Sequence, residues 1–479
     1  MQTRIRINLF FQFLESFFLV LLSFATFPYI TRVLGPEKIG QINFIDFTAQ
    51  IFLLMAAFGI PVYAIREVAK LRTDRAALQK FISQLLTLHL ITSVVCIILF
   101  IIVLYATTEW TVYKPLILLA ALNIFFNAWA LDWFFKGLES FRFVTLRLLL
   151  VRVILVIVVF LLIRAEDDYI LYYSLFVGAS LVVMVIDIFF ALRKGIHISY
   201  SFDFRMHLQP LLFFFLTSVS VSIYTFMDTY LLGLISGSLA VGFYTTAFKM
   251  VTLPQRFVQD ISAILLPRLS FLAIEKNTSE INRLLQKAIL FVITIAVPLG
   301  VLFLSSAREI IMLIGGRSFL PAAITLQILS FLPLVIGIST AFANQVLIPL
   351  DKEKELLKAV TAGSISSILF CFLLCPVWQH NGAAIACLLA ELVVMLFSFY
   401  ISRKVVEINI SVRQVSGIIL SGLLFLPLVF FLRSITGSSA LIFSATALMG
   451  AAGYFLLQLY LFRNPIVQEL YAYVKTFFR

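Results

Sequence analysis

Runs of about 20 apolar residues, the length an α-helix needs to cross a hydrocarbon core of about 30 Å, recur from one end of this chain to the other. They fall at 9–34, 41–63, 83–105, 115–135, 146–164, 169–192, 210–234, 242–267, 288–304, 322–349, 359–378, 383–402, 415–432 and 440–462. Inside lipid every backbone N–H and C=O must find a protein partner, so runs of this length have to be helical. The segments between them leave no room for a soluble domain. The sequence therefore predicts an all-α integral membrane protein of about 14 transmembrane helices. Composition agrees, because 13% of the residues are charged where a soluble domain has about 25%. The basic start MQTRIRINLF resembles a signal peptide, but its apolar run continues to Leu34 without a small-residue cleavage site, so it is taken as a retained first span.

Orientation follows from the basic residues. With the N-terminus inside, the cytoplasmic segments hold 26 Lys and Arg, and the outer ones hold seven: Arg32, Lys38, Lys114, Arg164, Arg308, Arg317 and Arg433. Over short loops that bias places both termini in the cytoplasm. A net charge of +12 would suggest nucleic acid for a soluble protein; here the cations sit in short connections and report topology, so no nucleic-acid partner is expected. The links Arg66 to Lys80 and Arg268 to Lys287 are mixed in charge. They are either interfacial helices with membrane lipids as partners or solvated connectors. Cys96, Cys371, Cys375 and Cys387 all lie in apolar runs, where thiols are small hydrophobes, and neither a disulfide nor a metal site is expected. There is no P-loop, and His89, His197, His207 and His380 have no metal-ligand spacing. An enzyme is not expected, nor a cofactor.

One span carries charge along one side. Stepping about 100° per residue, Thr245, Lys249, Thr252, Arg256 and Asp260 fall on a single helical face. A charge in the centre of a membrane helix costs at least about 2.5–3.5 kcal/mol on insertion scales, so such groups face a bundle interior or a water-filled cavity. Arg256 and Asp260 are an i,i+4 pair that could neutralise each other; that alternative leaves Lys249 unexplained. The first span carries Glu15 among Asn8, Gln12, Ser23 and Thr26, the second carries Asn43, Asp46 and Gln50, and the seventh carries Thr217, Ser220, Tyr224 and Asp228.

An internal repeat connects these stripes. Spans one and two meet at RVLGPEKIGQINF, and spans seven and eight at LGLISGSLAVGFYTTAF; each is a tight outer turn followed by a helix opening at Gly40 or Gly242. Six spans separate the two turns, and an even number makes the halves parallel. The expected lobes are 1–200 with spans one to six and 201–405 with spans seven to twelve, followed at 406–479 by an extra helix pair and a cytoplasmic tail. Asp46 lies six residues after Gly40 and Lys249 seven after Gly242, which puts ionisable groups at matched depth. Spans one, two, seven and eight are expected to line one cavity. Pro28 and Pro254 fall in spans of that set and can bend them.

The segments FPYITRVLGPEKIGQINF, YAIREVAKLR, DWFFKGLESFRFVTLR (Asp132 to Arg147), DTYLLG (Asp228 to Gly233) and VGFYTTAFK (Val241 to Lys249) together resemble bacterial polysaccharide flippases. These form the O-antigen transporter branch of the multidrug/oligosaccharidyl-lipid/polysaccharide exporter superfamily. The resemblance implies an inner-membrane, two-lobed, alternating-access carrier that moves undecaprenyl-diphosphate-linked oligosaccharides from the cytoplasmic to the periplasmic leaflet, beside a polysaccharide polymerase machinery. Many members of that branch have twelve helices. Fourteen brings in the lipid II flippases as an alternative. A cationic stripe without a nucleotide site suits a diphosphate head group, so Lys249 and Arg256 are the expected phosphate partners, with Thr245, Thr252, Asn43 and Gln50 as further substrate contacts. A multidrug or cation antiporter would favour an acidic or aromatic cavity, and a membrane glycosyltransferase or polymerase would need a large outer loop. Uphill transport without ATP requires a coupled ion, H+ or Na+, for which Glu15, Asp46, Asp228 and Asp260 are the candidate carboxylates. The alternative is downhill flipping drawn by polymerisation.

Overall fold

The computed structural model describes residues 2–107, 110–197, 199–275, 278–350, 352–407 and 411–477. Their side chains are described apart from those of 2–17, 110–111, 213–214, 217–225, 256–268, 270–271, 273–274, 278, 353, 473–474 and 476–477. Among the described residues the fold is entirely helical. The α-helices are α1 (Gln2–Ala57), α2 (Ile60–Leu71), α3 (Arg75–Thr107), α4 (Trp110–Ala128), α5 (Asp132–Gly137), α6 (Phe141–Leu162), α7 (Tyr169–Arg193) and α8 (Arg205–Ile274). They continue as α9 (Thr278–Ile314), α10 (Ala322–Leu329), α11 (Leu332–Phe342), α12 (Glu353–Ser402), α13 (Val412–Gly422), α14 (Phe425–Ile435), α15 (Ser439–Leu456) and α16 (Pro465–Phe477).

Eleven segments of the described residues are long and apolar enough to cross a membrane. Four of them contain a residue with non-helical backbone: Gly35 (φ 71°, ψ 172°) in α1, Gly237 (φ 81°, ψ 175°) in α8, Ser306 (φ −107°, ψ 18°) in α9 and Gln379 (φ 46°, ψ −125°) in α12. At a rise of about 1.5 Å per residue, the 54-residue segment Phe18–Leu71 is far longer than one hydrocarbon core, so a break at Gly35 gives it two arms. Because some segments hold more than one arm, eleven counts segments and not crossings. Each glycine turn is tighter than the sequence suggests. Helix resumes immediately after Gly35 and Gly237, about five residues before Gly40 and Gly242, because a glycine at positive φ reverses the chain by itself.

Each of the links Arg66 to Lys80 and Arg268 to Lys287 is divided between two helices: α2 ends at Leu71 and α3 begins at Arg75, while α8 ends at Ile274 and α9 begins at Thr278. Val68 and Leu78, on either side of the first turn, are both buried. The fourth span also stops early, at Ala128, and restarts at Asp132 as the short α5.

The chain forms two compact units, Met1–Gly242 and Phe243–Arg479. In the first, α2, the start of α3, α5 and the start of α6 enclose one apolar core that includes Ile60, Tyr63, Val68, Phe81, Leu85, Trp133, Phe134, Phe135 and Val144. Also in this unit, the two glycine turns meet reciprocally. A Cβ on Gly40 would collide with the carbonyl of Ser238, and a Cβ on Gly242 with the carbonyl of Pro36. Pro36 and Ser238 each follow their turn glycine, so the contact has an internal two-fold character.

In the second unit the C-terminal helices are joined to α9 by buried polar groups. The Tyr454 hydroxyl donates to the Thr294 carbonyl (2.7 Å), Asn464 Nδ2 donates to Thr294 Oγ1 (3.1 Å) and to Gln458 Oε1 (3.0 Å), and Gln458 Nε2 donates to Ser421 Oγ and to the Gly417 carbonyl (3.0 Å). Elsewhere on α9, Arg433 makes a two-pronged pair with Glu309 (2.8 and 2.9 Å). Ile418, Phe425, Tyr454 and Ile466 belong to the same apolar cluster as Leu285, Ile289 and Val297 of α9. The helix pair is therefore part of this unit's core. A chain ending before Val412 would bare Thr294, Glu309 and that apolar face; it is expected to elute as aggregate in detergent size-exclusion chromatography, where the full chain elutes as a single peak.

Candidate functional site

The first unit places three of the expected site residues on the second arm of α1. Asn43 is buried, and Asp46 and Gln50 are half-buried. Asp46 Oδ1 accepts a hydrogen bond from the Tyr173 hydroxyl of α7 (3.1 Å). The same arm lies along α8 through Phe44, which stacks parallel to Tyr230 at 6.0 Å and covers Gly233, and through Phe47, 5.6 Å from Phe226. Asp228 is buried beside these contacts, and its Oδ1 accepts the backbone N–H of Thr229 (2.8 Å). The aromatic packing thus brings the Asn43–Asp46–Gln50 arm alongside the α8 segment that carries Asp228.

In the second unit, Thr245, Lys249 and Thr252 occupy successive turns of α8. Thr245 is buried, Lys249 and Thr252 are half-buried, and the Thr252 hydroxyl donates to the Phe248 carbonyl one turn back (2.9 Å). Tyr244 stacks on Phe248 at 5.6 Å along the same helix. The side chains of Glu15, Arg256 and Asp260 lie outside the described residues.

A second polar centre was not singled out by sequence. Arg147 of α6 donates from Nη1 to Asp187 of α7 and from Nη2 to Asp132 at the start of α5. Asp187 also accepts the Leu131 backbone N–H (2.9 Å), and Lys136 Nζ lies 3.8 Å from Asp132. The Arg147 and Asp187 side chains are 2% and 0% exposed, that of Asp132 35%. Two carboxylates and two cations balance, which allows charge to remain in an apolar bundle. Two cavities reach this centre: one of about 200 Å³ includes Asn127, Asp132, Arg152 and Ser180 in its lining, and one of about 230 Å³ includes His89, Asn127, Asp132, Trp133 and Lys136. Asn127 spends both amide hydrogens on Asn123, at its carbonyl (2.9 Å) and its Oδ1 (3.2 Å), so its own oxygen remains as an acceptor.

The signal for this centre was present in two parts. Asp187 is a lone carboxylate in an apolar run, and Arg147 sits at the edge of one, where it passes for a loop charge. Their pairing requires α6 and α7 to be side by side. Among the described residues no group of three or more His, Cys, Asp or Glu could hold a metal ion.

Comparison with known proteins supplies the family. The sequence is 25% identical over 385 residues to a putative O-antigen transporter of Shigella dysenteriae, covering 79% of this chain and 94% of that protein. It is 22% identical over 416 residues to the capsular polysaccharide biosynthesis protein CapF of Staphylococcus aureus, covering 83% and 99%. Among solved structures, the lipid II flippase MurJ in an inward closed conformation superposes with a TM-score of 0.75 at 18% identity, over 96% of this chain and all of that one. An inward-facing multidrug resistance transporter of the MATE family superposes with a TM-score of 0.66 at 14% identity, over 83% and 94%. The fold is thus that of these membrane transporters. The family described as polysaccharide biosynthesis protein matches residues 7–273, more than half of the 479 residues, and the chain belongs to it.

Proposed function

We propose that this protein is a flippase that carries undecaprenyl-diphosphate-linked oligosaccharide repeat units from the cytoplasmic to the periplasmic leaflet of a bacterial inner membrane. The observation that carries this reading is a transporter fold over 96% of the chain in a family of polysaccharide biosynthesis proteins. Its curated relatives are named for O-antigen and capsular polysaccharide. The 26-to-7 distribution of Lys and Arg supports cytoplasmic termini, with six-span lobes at 1–200 and 201–405. The work is carriage, with no bond made or broken.

In this reading Lys249 and Arg256 meet the diphosphate, and Thr245, Thr252, Asn43 and Gln50 contribute hydrogen bonds. Lys249 suits the role because a half-buried ammonium on a largely apolar helix gains most from a doubly anionic ligand. Asp46, Asp228, Glu15 and Asp260 are the carboxylates that a coupled H+ or Na+ would occupy. Asp46 already takes a hydroxyl donor, Tyr173.

The test is flipping of fluorescent lipid-linked oligosaccharides in proteoliposomes, with and without imposed pH or sodium gradients. Lys249→Ala is expected to leave the protein in the membrane and lower the flipping rate at least about 10-fold, the effect of losing about 1.4 kcal/mol of charge-assisted contact. Drug efflux without glycolipid flipping would replace the proposal with a multidrug reading. Rates indifferent to both gradients would remove ion coupling and leave the flippase assignment standing.

A further inference from the structure

The connection between α7 and α8 is stitched to the first three turns of α3. Gln79 accepts the His197 backbone N–H at Oε1 (2.8 Å) and returns a hydrogen bond to the His197 carbonyl. One turn on, Ser83 Oγ meets Ser199 Oγ (2.7 Å); after another turn, Thr87 Oγ1 accepts the Ser201 N–H (2.8 Å). Gln84 Nε2 then donates to the Asp203 carbonyl (2.5 Å), and its Oε1 meets His207 Nε2 (3.0 Å). With His207 Nε2 donating there, Nδ1 accepts from the Tyr63 hydroxyl (2.8 Å). Burial holds His207 below the ordinary imidazole pKa, consistent with this neutral ring.

The register has a geometric basis. Four helical residues rise about 6.0 Å, and two extended residues advance about 6.6 Å, so rungs at 79, 83 and 87 match rungs at 197, 199 and 201. The side chains of Tyr200 and Phe202 are then turned away from α3. Tyr200 is 58% exposed and Phe202 74%, and Met206 at the start of α8 is 68% exposed. This apolar surface continues along α8 through Leu212 and Leu216, both exposed. Arg193, Lys194 and Arg205 flank the strap and are exposed, and within it Asp203 lies 3.7 Å from Lys80.

We propose that this strap lies in the head-group layer of the inner leaflet, with Tyr200, Phe202 and Met206 at the hydrocarbon boundary and Arg193, Lys194 and Arg205 on anionic phospholipid. The rungs fix its depth: α3 carries no Asp, Glu, Lys or Arg after Lys80, so residues tied to Ser83 and Thr87 sit where the helix enters lipid. Aromatic rings at that level with cations beside them match a membrane interface, and the apolar continuation into α8 matches a lipid-facing surface. The choice of leaflet rests on cytoplasmic termini; the lipid contact itself does not.

The alternation provides the test. A fluorescent nitrobenzoxadiazole group would be attached at Tyr200→Cys, Ser201→Cys or Phe202→Cys, in a background whose four buried cysteines are Ala, and read in nanodiscs of phosphatidylglycerol or phosphatidylcholine. Labels at 200 and 202 are expected to be quenched by lipids brominated near the head group, at least twofold more in phosphatidylglycerol, while the label at 201 is not. Quenching of 200 and 202 by aqueous iodide without lipid quenching would overturn the proposal, as would equal lipid quenching at all three positions. On the unmodified protein, hydroxyl-radical oxidation of Tyr200 and Phe202 is expected to be several-fold lower in phosphatidylglycerol than in phosphatidylcholine nanodiscs. Equal oxidation in the two would overturn it. A flipping assay that fails leaves these readouts unchanged, so the two ideas stand or fall separately.

Discussion

Arg147→Ala is expected to destabilise the first unit by about 3–5 kcal/mol, the cost of removing one partner from a buried ion pair. Asp187 is fully buried, and after the substitution it would keep only the Leu131 N–H. Asp132, about one-third exposed, recovers part of its loss through water and contributes less to the total. The physical content lies in the comparison with a second variant. If the cost is an uncompensated buried charge, Arg147→Met with Asp187→Leu removes charge and partner together and should recover a substantial part of the stability. Thermal unfolding in detergent, followed by tryptophan fluorescence, separates the cases: the single variant is expected to melt well below the parent and the double variant between them. A double variant no better than the single would mean that the network is needed for its hydrogen bonds rather than for charge balance. Since α5 meets α6 and α7 at this point, loss of Arg147 is also expected to lower the amount of folded protein in the membrane several-fold.

Gly40→Leu and Gly242→Leu should each be more damaging than any lipid-facing substitution. The new atoms would occupy the positions of the Ser238 and Pro36 carbonyls, and backbone cannot rotate away as a side chain can. Even Gly40→Ala is expected to cost about 1–3 kcal/mol, the range for forced overpacking. Gly178 of α7 is the internal control, with nothing within 4 Å of its added Cβ. Gly178→Ala should be neutral or stabilising by up to about 1 kcal/mol through helix propensity alone. The measurement is melting temperature for Gly40→Ala, Gly242→Ala and Gly178→Ala side by side. Equal effects at all three positions would show that the reciprocal contact carries no special weight.

The site residues divide by how far local pattern could reach. Lys249 stood out because charges along one face of a long apolar helix are conspicuous, and the i,i+3,i+4 spacing through Thr245 and Thr252 needs nothing beyond the helix itself. Asp46 stood out for the same reason, but its partner Tyr173 lies 127 residues away and had no local mark. Asn123 and Asn127, bonded to each other, lie one turn apart, a spacing that the helix alone supplies. The strap was not legible. A polar stripe at 79, 83, 84 and 87 is unremarkable at the end of a membrane helix until an extended segment with half its period lies along it.

Hydrophobic length and charge placement thus determined, from sequence alone, that this chain is a bundle of membrane helices and where two matched turns fall. Lipid makes those properties local: a run of about 20 apolar residues is a helix there whatever its neighbours do. Tertiary structure decided what each helix touches. It set the single-residue turns at Gly35 and Gly237, the break that frees Asp132 for Arg147, and the attachment of the last helices to α9. Those outcomes depend on close packing and on pairing of buried polar groups between segments far apart in the chain, and one helix's sequence does not name the partner that completes its hydrogen bonds.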